Sequence, residues 1–245
     1  MKKFCFIILI FGLISCSRNQ PDSLLVNLPS VNLKLIESFK TNVPEPSGLF
    51  YNKKTESLFT VSDGNSTVYE IDFYGKIKNS FSIQSTDLEG ISFSENCDTM
   101  YVVEEQNKLV TKYLSNGTKL YSFSVNVATV QNNALEGIAI DNRNAIYVLN
   151  EKLPNMLLKF SNKTELFRKE INYTKDCSDI CYDKDSDCLW MVSDESQKVI
   201  KMSKDGNIIN SYNINFSKGE GITIYQNKIY IISDYDGMMY VFEKP

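Results

Sequence analysis

The chain has 245 residues, of which 42% are hydrophobic, 23% charged and 12% aromatic, a globular composition that excludes disorder, collagen and coiled coil. It contains no histidine, which removes Ser-His, Cys-His and His-metal chemistry together. Its three arginines and net charge of −4 argue against a nucleic-acid partner and are compatible with a cation.

The N-terminus reads as an address. Lys2 and Lys3 precede an uncharged apolar run from Phe4 to Ile14, too short to span a bilayer and suited to a signal peptide. The run ends Leu13-Ile14-Ser15-Cys16, which resembles a bacterial lipobox. We expect residues 1–15 to be a lipoprotein signal peptide and Cys16 to carry the lipid (palmitate). Residues 16–30 then form a lipid-anchored tether, and residues 31–245 one domain. The protein would be extracytoplasmic, held to a membrane of the bacterial cell envelope. A plain secretory signal cleaved near Ser15 or Ser17 is the alternative. Of the remaining cysteines, Cys97, Cys177, Cys181 and Cys188, none forms a CxxC pair. A Cys181–Cys188 disulfide across a hairpin and free buried thiols stand as equal alternatives.

From Ser47 onward the chain repeats. Ser47-Gly48-Leu49, Glu89-Gly90-Ile91, Glu136-Gly137-Ile138, Ser178-Asp179-Ile180 and Glu220-Gly221-Ile222 follow one another at steps of 42, 47, 42 and 42 residues. After each comes a polar turn, then an apolar run such as Met100-Tyr101-Val102-Val103 or Leu189-Trp190-Met191-Val192. A third strand and a Gly-containing turn follow, with no helical period anywhere. Fourth strands recur at Ser80–Ile83, Ser122–Val125 and Ser211–Ile214. Leu35 to Phe39 has the features of a fourth strand without a first three, and the last repeat lacks its fourth. The pattern predicts an all-β, five-bladed β-propeller with four antiparallel strands per blade, closed by that N-terminal strand. A six-bladed ring is the alternative, and it would need a further repeat.

A strand, hairpin and strand return the chain to the end of the sheet where it began. Glu89, Glu136 and Glu220 should therefore share one mouth of the channel, with Asp179 and Glu45 as near-equivalents displaced in register. The second strands end in Asp63, Glu105, Glu151, Asp194 and Asp234, a wider second ring. Carboxylates so gathered repel unless a cation sits among them or some are protonated. Oxygen ligands without His or paired Cys select a hard cation, with Ca²⁺ favoured. The competing reading is that these acids bind backbone N–H groups of nearby turns, and for the second ring it is the stronger one. Asp183-Lys184-Asp185-Ser186-Asp187 has the alternation of an EF-hand loop, but Cys188 stands where Gly is needed, so it reads as a hairpin turn.

The lipobox, Pro46-Ser47-Gly48-Leu49, Asp87-Leu88-Glu89-Gly90-Ile91, Ala134 to Ile140 and Gly219 to Ile222 together resemble the SdiA-regulated family of bacterial propeller proteins over roughly residues 31 to 245. The resemblance implies a secreted or membrane-tethered propeller, distantly NHL-like, with calcium at or near the channel. It supplies no substrate. The fourth repeat departs from the pattern with Ser178-Asp179-Ile180. The expectation is a monomeric, non-enzymatic binding module for an unidentified protein or small ligand, with no catalytic residue. The alternative is a Ca²⁺-dependent hydrolase, lactonase- or phytase-like, using the same carboxylates. A phytase would want a basic cluster beside the metal, and only Lys152 and Lys218 stand near the acids.

Overall fold

The second strand of every repeat is buried along nearly its whole length, which is why it reads as an unbroken apolar run rather than an alternating one. Both faces are covered, because each sheet is packed between two others. The computed structural model describes residues 25–26, 29–128 and 133–245; the signal peptide and Cys16 lie outside them. The described strands begin with β1 (Val31–Asn32) and β2 (Leu35–Lys40). The first blade is β3 (Pro46–Asn52), β4 (Ser57–Ser62), β5 (Thr67–Ile71) and β6 (Ile77–Ser82). The second is β7 (Leu88–Phe93), β8 (Thr99–Glu104), β9 (Leu109–Leu114) and β10 (Lys119–Ser124). The third is β11 (Leu135–Ile140), β12 (Ala145–Asn150), β13 (Met156–Ser161) and β14 (Thr164–Glu170). The fourth is β15 (Asp179–Asp183), β16 (Cys188–Ser193), β17 (Lys198–Met202) and β18 (Ile208–Asn213). The fifth takes β19 (Gly219–Tyr225), β20 (Lys228–Ser233) and β21 (Met238–Glu243) from the C-terminus and β2 from the N-terminus.

The inner strands β3, β7, β11, β15 and β19 pack side by side in that order, and β19 returns to β3, so five blades close a ring. The core divides accordingly into five apolar clusters, one in each seam between neighbouring blades. Trp190, fully buried, stacks on Tyr212 in the seam of the fourth and fifth blades. Closure runs through β2, which pairs antiparallel with β21 from Leu35↔Phe242 to Lys40↔Met238. β1, which has no counterpart in the repeat pattern, lies parallel on β18 and covers the outer edge of the fourth blade. The N-terminal segment therefore straps two blades together.

The four cysteines among the described residues, Cys97, Cys177, Cys181 and Cys188, are free. β15 and β16 set Cys181 opposite Trp190 and Cys188 opposite Asp183, so the two thiols are out of register and no disulfide joins them. Asp183 to Cys188 is the hairpin turn between these strands. Among the described residues no helix is long and apolar enough to cross a membrane.

Candidate functional site

In four of the five repeats the signature is a β-bulge. Leu88 pairs with Glu104 and Gly90 with Val103, leaving Glu89 as the extra residue. The same one-residue shift occurs at Leu135/Ile138 in β11, Gly219/Gly221 in β19 and Ser47/Phe50 in β3. A bulge re-aims the side chain it carries, and here it turns Glu89, Glu136 and Glu220 to one mouth of the channel. The glycine that follows meets the next blade. A Cβ on Gly90 would lie 2.5 Å from the Glu136 carbonyl oxygen, and one on Gly137 2.6 Å from Asp179 Cα. Only hydrogen fits there.

The second acid of four repeats is returned to the same mouth by a recurring backbone bond, and in the fourth blade the N–H of Asp194 donates instead to the Ser178 hydroxyl (3.2 Å). The N–H of Asp63 donates to Glu45 O (3.0 Å), Glu105 to Asp87 O (3.0 Å), Glu151 to Ala134 O (2.7 Å) and Asp234 to Lys218 O (3.0 Å). The result is a cup of about 230 Å³ on the channel axis, lined by ten carboxylates and two lysines. Glu89, Glu136, Glu220, Glu151, Asp63, Asp194 and Asp234 all line it. Glu105 is buried at its edge, where Oε1 accepts the N–H of Ala134 at 3.0 Å. Asp194 likewise accepts the N–H of Lys218 from the next blade. These two acids act partly as backbone acceptors, across a blade seam rather than within their own turn.

The two lysines stand on one side of the cup. Lys152 lies 2.8 Å from both Glu151 and Glu195; Lys218 lies 3.5 Å from Glu220 and 3.9 Å from Asp194. Two oxygen triads gather in the cup, and the second includes Glu151, which also pairs with Lys152. Carboxylate oxygens of Asp63, Asp87 and Glu89 lie within 4.8 Å of one another, and so do those of Glu105, Glu136 and Glu151. Each triad crosses a seam, the first joining blades one and two, the second joining blades two and three. The electrostatics follow from this crowding. Burial, then the charge of Asp63, drives Glu89 well above the usual carboxylate range. Burial, then Glu89 and Glu151, does the same to Glu136. Glu151 and Glu220 are pushed up by burial to about 7, against the pull of Lys152 and Lys218 respectively. Asp63 and Glu105 are also raised, burial again leading.

Asp179 is not a member of this ring. It stands in the glycine position of the fourth signature, β15 has no bulge, and Ser178 occupies the glutamate position in the cup. The Asp179 side chain is instead fully buried against the inner strands. Its Oδ2 accepts the N–H of Ile222 (2.8 Å) and of Leu49 (3.2 Å). Glu45 does line the cup, as an exposed rim residue.

Sequence reasoning missed Asp87, Asp176 and Glu195. Asp176 is buried, accepts the hydroxyl of Ser193 and takes the N–H of Glu195 at 3.1 Å. The signal was available: Glu45, Asp87, Ala134, Asp176 and Lys218 each stand two residues before the signature, a third repeating position.

The chain belongs to the SdiA-regulated family, whose sequence profile matches residues 30–171 and 161–243. Among proteins with curated functions none matches in sequence. Of solved structures, a streptogramin B lyase is similar at 14% identity with a TM-score of 0.53, over 85% of this chain and 72% of that one. A catalytically inactive virginiamycin B lyase from Staphylococcus aureus, with quinupristin, is similar at 15% identity and a TM-score of 0.52, over 80% of this chain and 66% of that one. A glutaminyl cyclase from Myxococcus xanthus gives 9% identity and a TM-score of 0.69, over 88% and 97%. At these identities the likeness is one of fold.

Proposed function

We propose that this propeller is a calcium-binding module of the bacterial cell envelope, anchored through Cys16 and presenting its acidic mouth to a protein or small ligand. The observation that carries the reading is the pair of oxygen triads in the cup, of which the second includes Glu151, the partner of Lys152. An all-oxygen donor set in a chain without histidine fits a hard cation, and irregular carboxylate spacing suits Ca²⁺, which accepts six to eight oxygens in loose geometry. Asp63, Asp87 and Glu89 would hold one ion and Glu105, Glu136 and Glu151 another. A bound cation would relieve the repulsion that raises Glu89 and Glu136, and would clamp the seams on either side of the second blade. The lipobox is the ground for the anchor and for the extracytoplasmic address.

The test is a melting series in chelator, Ca²⁺ and Mg²⁺. Calcium should raise the melting temperature with concentration, and magnesium should do less because it demands a tight octahedron and keeps its waters. Equal, negligible shifts with both ions would remove the proposal. Cys16→Ser should move the protein from the membrane to the soluble fraction.

One observation favours the hydrolase alternative. Glu151 and Glu220, at about 7, are poised for proton transfer near neutral pH. Turnover of a lactone or a phosphate ester that stops in chelator, and stops again in Glu151→Gln, would favour the enzyme. Binding without turnover favours the module.

A further inference from the structure

The channel has a second mouth, and its chemistry is the opposite of the first. The far ends of all five inner strands enclose a cavity of about 250 Å³ there. Leu49, Ile138 and Ile180 line it, the residues that follow the axial glycines and Asp179, so the inner-strand ring separates this cavity from the acidic cup. One wall is aromatic and rigid. Tyr51 stacks on Tyr225 with ring centroids 3.9 Å apart, and Tyr225 stacks in turn on Phe73 at 5.0 Å. A second wall carries Phe50 stacked on Phe93 at 5.2 Å. Rings held by other rings lose little freedom when a further flat group slides against them.

The rim carries Lys53, Lys184 and three carboxylates, Glu95, Asp183 and Asp185, of which Asp183 is held by Lys244 at 3.0 Å. Lys53 of the first blade and Lys184 of the fourth each place Nζ 2.9 Å from the same oxygen, Glu95 Oε1 of the second blade. Two ammonium groups therefore share one carboxylate oxygen, and both remain half exposed or more. An incoming carboxylate or sulfonate can join Glu95 between them.

We propose that this lower mouth is a binding site for a small molecule with a flat aromatic body and one anionic group. The body lies between the aromatic walls and the anion meets Lys53 and Lys184. An apolar cavity with a few converging polar groups is the usual form of a small-ligand site. A cavity of about 150 Å³ holds benzene, so about 250 Å³ admits a two-ring body. The inference is independent of the calcium reading, because no cup residue takes part in it.

The experiment uses the intact folded protein and 1-naphthalenesulfonate, followed by calorimetric titration well below the melting temperature, with 1-naphthoate as competitor. The expected result is saturable binding at one site, displaced by naphthoate and unaffected by Ca²⁺. The double variant Lys53→Gln/Lys184→Gln, both on the surface, should fold normally and weaken binding about tenfold. Ile224→Trp, which fills the cavity, should abolish it. Absence of saturable binding in the wild type overturns the proposal. So does an unchanged dissociation constant in both variants, or loss of binding in Glu89→Gln/Glu136→Gln, which would move the probe to the cup.

Discussion

Asp179 Oδ2 accepts the backbone N–H of Ile222 at 2.8 Å, across the seam between the fourth and fifth blades. The same oxygen takes the N–H of Leu49 at 3.2 Å from the first blade. One carboxylate thus answers donors that the converging inner strands would otherwise leave buried and unpaired. It can stand there because the other four signatures have glycine at the equivalent position, leaving space on the axis for a single side chain.

Asp179→Ala should therefore be among the most damaging single changes. It removes the acceptor and leaves the donors in place, each buried orphan costing roughly 1–3 kcal/mol. Asp179→Asn, which keeps one oxygen, should fall between the variant and wild type in melting temperature. Formate should restore part of the loss in Asp179→Ala and do nothing for wild type. An Asp179→Ala protein as stable as wild type would mean that the N–H groups find other partners.

Two glycine variants separate axial crowding from ordinary loop tolerance. A Cβ on Gly137 meets backbone, Asp179 Cα and Ile180 N at 2.6 Å, which cannot move without opening the ring. A Cβ on Gly64 meets only the exposed side chain of Glu45, which can swing away. Gly137→Ala should cost about 1–3 kcal/mol or prevent folding, and Gly64→Ala should stay within about 1 kcal/mol, as read by chemical denaturation.

The strap prediction rests on β2. A chain lacking the first 28 residues should melt like the whole protein. A chain lacking the first 41 loses the Leu35–Lys40 pairing with β21, and with it the closure of the ring. It should aggregate or unfold without cooperativity, seen by size-exclusion chromatography and calorimetry. Equal behaviour of the two truncations would show that the strap does not close the fold.

The raised carboxylates fix the pH dependence of the metal-free protein. Glu151 and Glu220 titrate at about 7 in the fold and at about 4.3 in an unfolded chain. Between those values the native state holds protons that the unfolded state has released, so stability falls as pH rises. Glu89 and Glu136, held well above the usual carboxylate range by burial, add to the fall. Melting temperatures in chelator should therefore drop from pH 5 to pH 8, and Glu151→Gln/Glu220→Gln should flatten the drop. A rise over that interval in the wild type would contradict the assignment.

The blades could be read from the sequence because Glu-Gly-Ile marks a bulge in three inner strands, and β3 carries the same bulge at Ser47-Gly48-Leu49. Burial on both faces made the second strands unmistakable as apolar runs. The fourth strand of the third blade was not legible: Thr164–Glu170 lacks the Ser-aromatic pattern of its counterparts and alternates exposed and half-buried residues. β1 is two exposed residues long, too short to show a strand pattern in the sequence. The role of Asp179 escaped because its meaning is positional. An Asp in place of Gly reads as a lost signature until the axis it fills is seen. Asp87 and Asp176 were missed because their repeat position varies in residue type.

Calorimetric titration of Ca²⁺ into the wild type and into Glu89→Gln/Glu136→Gln tests the central claim most directly. The double variant removes one ligand from each triad at nearly constant shape. The account predicts saturable binding to the wild type, tighter at pH 8 than at pH 6 because the carboxylates must release protons to bind, and no binding to the variant. Its metal-free form should be no less stable than the wild type, since two repelling charges are gone. Calcium binding of unchanged affinity and stoichiometry in the variant would contradict the account.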